Sequence, residues 1–221
     1  MGFDVILANP LKIKLIAESR MKNDDVYSEI LVKLMRNDWI PESYIPSKDI
    51  MGIRRIVRSR IQIKQSIRSY NNRIRYEILR LHVNYEIDHT FTWKGSVFLR
   101  TLKSPRIDSY LNVLDSLDGK VKKIDAEMTK YFGIEKEKLL ITIPGIGLFS
   151  ALLIYSEIGD INCFQDSSKL LAYTGIIPSV RPSADVVPYG HITYQGSKCL
   201  RGIMVGFAPY ILHVSTTCHL S

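Results

Sequence analysis

Two long stretches of the chain repeat apolar residues at the three- and four-residue spacing of an amphipathic helix. The apolar positions of the first stretch are Ile56, Ile63, Ile67, Tyr70, Ile74 and Leu81. Those of the second are Ile107, Tyr110, Leu114, Leu117, Val121, Ile124, Met128 and Tyr131. The second series alternates spacings of three and four without a break, which is typical of a coiled-coil seam. The pattern predicts an antiparallel coiled-coil arm over residues 46–133, with two ordinary bundle helices as the alternative.

The first 45 residues have a different pattern. "FDVILANP" is a short apolar run ending in Asn-Pro, which predicts a strand followed by a turn. "DDVYSEILVKLMRNDW" then repeats apolar residues at helical spacing. Residues 1–45 are therefore expected to be a β-α fragment that is too small to complete a sheet.

A third segment, residues 139–156, carries no charged residue and raises the question of a membrane helix. Pro144, Gly145 and Gly147 interrupt its middle, which disfavours a membrane span. The same residues fit a helix-hairpin-helix, in which a glycine turn of positive φ joins two short helices. Backbone amides at the start of the second helix can bind a phosphate. Gly145 and Gly147 are therefore predicted to contact DNA.

The predicted fold is mainly α-helical. It consists of a partial α/β fragment over residues 1–45, the basic arm over 46–133, and a helical C-terminal domain with the helix-hairpin-helix over 134–221. A tail-anchored protein using residues 202–221 is a weaker alternative, disfavoured by the polar "STTCH" end.

Charge changes the interpretation of the arm. The chain has a formal net charge of +8 and an isoelectric point near 9.3. Between residues 54 and 80, Glu77 is the single acid against the cations Arg54, Arg55, Arg58, Arg60, Lys64, Arg68, Arg73, Arg75 and Arg80. A surface whose charges are nearly all positive favours phosphate as its partner. The alternative is that these side chains only face solvent. The candidate DNA-binding residues on it are Arg54, Arg58, Arg60, Lys64 and Arg68.

Cysteine usage and the N-terminus bear on the compartment. The three cysteines are Cys163, Cys199 and Cys218, and none of them forms a Cys-x-x-Cys pair. A disulfide framework or a zinc site is therefore not expected, and the expected location is the reducing interior of the cell. "MGFDVILANP" does not resemble a signal peptide. We expect a cytoplasmic protein that does not interact with a membrane.

The C-terminal half resembles a known family in a series of short motifs. These are the PGIG turn at residues 144–147, "EIGDI" at 157–161, Ala172-Tyr173 with Gly175 and Pro178, and Ile192-Thr193 with Gly196 and Leu200-Arg201. They are similar to those of insertion-sequence transposases related to the Piv and MooV DNA invertases, which use a bridge RNA as guide. "VILANPLKIKLIAESRMKND" resembles the end of that family's RuvC-like, RNase H-fold catalytic domain. The resemblance covers nearly the whole chain.

The resemblance implies DNA strand exchange, with DNA, a guide RNA and further copies of the chain as partners. In the family, four acids of the RuvC-like domain hold Mg²⁺, and the last two stand three residues apart. Asp24 matches the third acid, whereas Tyr27 stands at the place of the fourth. Asp25 lies roughly 100° around a helix from Asp24 and is an imperfect substitute. Asp24 is thus the candidate catalytic and metal residue, with N-terminal helix capping as the alternative for both aspartates.

The resemblance also implies a serine nucleophile in the C-terminal domain, and Ser183 in "VRPSAD" matches it. Ala184 stands where the family usually has glycine, and Ser179 is the nearest competitor. Nearby cations are candidate contacts to the scissile phosphate or parts of a solvated surface: Arg181, Lys198 and Arg201.

The family's other catalytic acids lie on strands that precede the point where this sequence begins. The chain is therefore expected to be a fragment truncated at both ends. Two hypotheses follow: a DNA transposase that obtains its missing acids from another chain, or a catalytically inactive remnant that only binds nucleic acid.

Overall fold

A computed structural model of the 221-residue chain describes residues 6–9, 12–13, 24–83, 91–131, 133, 135–180, 189–192 and 196–218. The chain divides into two compact units, Met1–Ser47 and Lys48–Ser221. Each is described below by itself.

The described part of the first unit contains a long helix, α1, at Asp24–Arg36. An isolated antiparallel bridge joins Ala8 to Glu42. Two backbone hydrogen bonds flank this bridge, from Asn9 N to Pro41 O at 2.7 Å and from Ser43 N to Leu7 O at 2.7 Å. The described part of "FDVILANP" thus forms a single bridge where we predicted a strand. The RNase H-like fold of this fragment stays a prediction.

The second unit begins with the two long helices that the apolar pattern predicts. They are α2 at Lys48–Arg80 and α4 at Pro105–Met128, with a short helix α3 at Trp93–Thr101 between them. The end of α2 packs on the start of α4 in a cluster that comprises Ile74, Ile78, Leu99, Ile107, Leu111 and Leu114. The start of α2 packs near the end of α4, at Met128. The two helices are therefore antiparallel, whereas a coiled coil over this arm stays a prediction.

The base of the arm joins the C-terminal region through a second cluster. Ile53 and Val57 of α2 pack with Met128 and with Leu152 and Leu153. The last two belong to α6, a helix at Leu148–Ile158. All five side chains are less than 4% exposed. This burial of apolar surface stabilises the contact between arm and C-terminal region.

The C-terminal region is mostly helical. After a 3₁₀ turn at Thr129–Tyr131 it comprises α5 at Glu135–Ile141, α6, a 3₁₀ turn at Ile161–Cys163, α7 at Ser167–Thr174 and α8 at Lys198–Cys218. Between α7 and α8 lies an antiparallel hairpin of β1, Pro178–Val180, and β2, Tyr189–Ile192, with an irregular register. The uncharged segment 139–156 is divided between α5 and α6. Within the described ranges, no helix is long and apolar enough to cross a membrane.

Candidate nucleic-acid interface

The glycine turn between α5 and α6 lies at the surface. Pro144, Gly145 and Gly147 are exposed, while Ile146 is buried in the cluster that joins α6 to α8. The amide of Ile146 donates to the Ile143 carbonyl at 3.0 Å. Gly145 has φ +89°, a conformation that favours glycine. One buried side chain thus anchors a turn whose other residues face outward.

Gly147 differs from our prediction, because its backbone is extended, with φ −89° and ψ 176°. Any residue adopts this conformation, so the expected positive φ occurs only at Gly145. A Cβ built on Gly147 would meet no described atom within 4 Å. Gly147 is also the N-cap of α6 and, as a glycine, has no side chain with which to cap it. The fold of the described residues therefore does not require glycine at position 147. A ligand that approaches the first amides of α6 closely would require it.

Arg54 is not available as a free cation, contrary to the prediction of an exposed arginine surface. Its Nε and Nη2 donate to the Ser156 carbonyl at 2.9 and 2.6 Å. Nη2 also lies 3.3 Å from the Glu157 carbonyl. Arg54 thus satisfies carbonyls at the C-terminal end of α6, where helices leave acceptors without partners.

Arg58 binds the buried acid Glu157 in a bidentate pair. Its Nε lies 2.7 Å from Oε1 and its Nη2 2.9 Å from Oε2. The Arg58 side chain is 50% exposed and that of Glu157 only 1%. The hydrogen bond to Glu157 raises the pKa of Arg58 above its ordinary value. The guanidinium fork of Arg58 is therefore used within the protein, and contact of this residue with DNA stays a prediction.

Arg60 is the third arginine with an internal partner. Its Nε lies 2.6 Å from Oδ1 of Asp125 on α4, and its guanidinium lies 4.3 Å from the centre of the Phe149 ring. The sequence could not reveal these pairings. The acids Asp125 and Glu157 lie 65 and 99 positions away from Arg60 and Arg58.

Glu157 connects several elements. Ser197, just before α8, donates its hydroxyl to Oε2 at 2.9 Å, and the Tyr173 hydroxyl donates to the Glu157 carbonyl at 3.2 Å. Burial alone would raise the pKa of Glu157, but hydrogen bonds from Arg58 and Ser197 and the charges of Arg58 and Arg54 hold it below its ordinary value. Burial raises the pKa of Tyr173. The sequence shows Glu157 only as the first residue of the "EIGDI" motif, which does not predict this role.

Lys64 and Arg68 remain exposed, as predicted. With Arg60 and Phe149 they line an open cleft of about 380 Å³. Phe149 is the second residue of α6 and follows Gly147 closely in sequence. Two features predicted separately, the arm cations and the glycine turn, are thus adjacent. Phe149 was not among the predicted site residues, although an aromatic residue two positions after the PGIG turn is a signal that could have indicated it.

The structure describes only some of the predicted catalytic residues. Ser183 and Arg181 lie outside the described residues, in the segment that connects β1 to β2 in sequence. Asp24 is the first residue of α1, in the other unit. Arg201 is half-buried on α8. Among the residues that the structure describes, no group of three His, Cys, Asp or Glu could hold a metal ion.

Known proteins similar to this chain are named as transposases. The chain is 21% identical to "Putative transposase y4qE" of Sinorhizobium fredii, over 93% of the chain and 52% of the relative. It is 25% identical to "Putative transposase y4pF/y4sB" of the same organism, over 96% of the chain and 56% of the relative. A shorter match, 32% identical over 32% of the chain and 20% of the relative, is to "Transposase for insertion sequence element IS1111A" of Coxiella burnetii. The chain spans about half the length of the first two relatives.

A family model covers the C-terminal region, and it matches residues 137–217. This range contains the glycine turn, Phe149, Glu157 and the β1–β2 hairpin, so the match falls on the elements that the site is built from. The model is that of the transposase family IS116/IS110/IS902, which residues 137–217 therefore resemble.

Proposed function

We propose that the chain functions in DNA transposition of an insertion-sequence element, and that it binds the DNA backbone with the glycine turn and the adjacent cleft. The observation that carries this proposal is the position of Lys64 and Arg68 beside the start of α6, a helix that lies in the region similar to transposases.

The proposed contact combines two kinds of phosphate ligand. The first amides of α6 have no acceptor within their own helix, and the positive end of the helix dipole favours an anion there. Lys64 and Arg68 add two full charges along the neighbouring face of α2. Phosphates bound in this way release counterions, so the affinity would depend strongly on salt. This interface would bind DNA without reading its sequence.

Binding is tested by removing the two charges of the cleft. Lys64→Gln with Arg68→Gln is expected to weaken DNA binding and to reduce the slope of log K against log salt by about 2, since each phosphate contact contributes about 0.9. The matched control is Lys120→Gln with Lys123→Gln, two exposed cations on α4. Equal losses in both double variants would show that only net charge matters and would overturn the assignment of the cleft.

The catalytic part of the proposal concerns Ser183. Its hydroxyl oxygen would attack a DNA phosphodiester, form a phosphoserine link and release the deoxyribose hydroxyl, so that the bond energy is kept for religation. Asp24 is proposed to contribute to a Mg²⁺ site. The described residues alone do not fit such a site, because no three His, Cys, Asp or Glu among them are grouped so that they could hold a metal ion. Mg²⁺ dependence is therefore proposed only for an assembly that supplies further acids.

Cleavage of supercoiled DNA in Mg²⁺ tests this second part. Cleavage that disappears in Ser183→Ala supports the nucleophile, and cleavage that survives the substitution overturns it. Salt-dependent binding without cleavage would favour the other candidate, a protein that binds nucleic acid but is catalytically inactive. The incomplete acid set around Asp24 and Tyr27 is the observation behind that candidate.

A further inference from the structure

Both ends of the β1–β2 hairpin are tied together beside Glu157. Tyr173 lies at the end of α7, shortly before β1, and Ser197 lies shortly after β2. The Ser197 amide donates to the Tyr173 carbonyl at 3.0 Å. Gly196, with φ +112°, packs directly against the same carbonyl, leaving no room for a Cβ. The two flanks of the hairpin are therefore in direct contact.

Glu157 fastens this junction to the rest of the unit. It accepts from the Ser197 hydroxyl at its carboxylate and from the Tyr173 hydroxyl at its backbone carbonyl. The Ser197 hydroxyl in turn accepts from the Leu200 amide at 3.3 Å and so caps α8. On its other side the carboxylate is held by the Arg58 fork. One buried acid thus connects α2, α6, the hairpin flanks and the start of α8.

We infer that Glu157 is a positioning residue, whose carboxylate fixes the orientation of the β1–β2 hairpin against α2 and α6. The hairpin strands are short, at three and four residues, and their register is irregular, so the flanks are needed to hold the hairpin in one orientation. Since Ser183 lies between the two strands in sequence, the catalytic consequence of this inference rests on the proposed function.

The charge of Glu157 is essential to this role. Arg58 can only donate, and a glutamine at position 157 would offer it one acceptor oxygen in place of two and no negative charge. The amide nitrogen would then face Arg58 or the Ser197 hydroxyl. Glu77→Gln is the matched control, because Glu77 is also a buried acid on a helix and also binds an arginine, Arg106, at 2.8 Å.

The direct test is amide hydrogen exchange on the intact chain. Glu157→Gln is expected to speed exchange of the hairpin amides by on the order of tenfold relative to those of α4, since the hairpin opens locally without its anchor. Glu77→Gln is expected to speed exchange in the arm and to leave the hairpin unchanged. Hairpin exchange that is unchanged in Glu157→Gln, or raised equally by both substitutions, would overturn the inference.

A second readout separates positioning from general structural support. On DNA that the chain cleaves, Glu157→Gln and Ser197→Ala are expected to lower the cleavage rate constant at saturating DNA without changing DNA affinity. Ser197→Thr, which keeps the hydroxyl, is expected to restore the rate. An unchanged rate constant together with faster hairpin exchange would overturn the positioning role. Lack of cleavage by the unsubstituted chain would count against the proposed function, and the exchange comparison would still decide whether Glu157 holds the hairpin.

Discussion

Replacing Arg58 by alanine tests whether this arginine serves the fold or the DNA. Without Arg58, the Glu157 carboxylate, 1% exposed, keeps the Ser197 hydroxyl as its one side-chain partner among the described residues. Breaking a fully buried ion pair costs about 3–5 kcal/mol. Arg58 is 50% exposed, and water screens the part of the pair that it reaches. We therefore expect Arg58→Ala to lower the free energy of unfolding by about 2–3 kcal/mol.

The measurement is urea unfolding followed by circular dichroism. With an m value of about 2–3 kcal/mol per molar, this loss lowers the midpoint by about 1 M. The control is Arg55→Ala, which removes an exposed arginine of the same helix and should change stability by less than about 0.5 kcal/mol. DNA affinity of the folded protein should be nearly the same in both variants. An unchanged midpoint with clearly weaker DNA binding in Arg58→Ala would refute this reasoning and return Arg58 to the DNA surface.

Further predictions concern the glycine turn, the buried acid and the hairpin flank. Gly147→Asp and Gly147→Asn both supply a good N-cap to α6, so both variants should fold at least as well as the natural chain. Only the aspartate, which carries a negative charge, should strongly weaken DNA binding, as measured by filter retention or fluorescence anisotropy. The pKa of Glu157 in the folded state lies below its ordinary value of 4.5. The stabilising contribution of its charge is therefore present above pH 4.5 and is lost as the pH falls through the lower pKa of the folded state. Below about pH 4.5, the free energy of unfolding should fall more steeply in the natural chain than in Glu157→Gln. Gly196→Ala should lower the free energy of unfolding by about 1–3 kcal/mol and the melting temperature by several degrees, because φ +112° and the Tyr173 carbonyl leave no place for a Cβ. Calorimetry that shows no change in melting temperature would contradict this.

The elements that the sequence predicts well are those with many repeats of one pattern. Helices α2 and α4 carry apolar residues at helical spacing over several turns, so the local pattern was sufficient to predict them. The division of residues 139–156 into α5 and α6 follows from Pro144 and Gly145, whose conformations do not suit the middle of a helix. In these places local chemistry and the final fold agree.

The elements that the sequence did not predict depend on distant contacts. Helix α3 is short, and its one local sign is Thr92, whose hydroxyl accepts from the Gly95 amide at 3.2 Å. The β1–β2 hairpin has too few residues for an alternating pattern to stand out. The internal partners of Arg54, Arg58 and Arg60 were hidden for the same reason, since their acceptors come from α4 and α6.

The basic helix α2 is thus divided along its length between two tasks. Its first turns, with Arg54, Arg58 and Arg60, bind carbonyls and acids of the same unit and fix the arm to the C-terminal region. Beyond them, the exposed Lys64 and Arg68 have no acidic partner among the described residues. If all nine cations between residues 54 and 80 bound DNA, they would give a salt slope near −8, at about 0.9 per phosphate. Three of these nine are committed internally, so six remain at most, and the salt slope contributed by these residues should be no steeper than about −5. The net charge of a helix is therefore a poor measure of its DNA footprint when part of that charge holds the protein together.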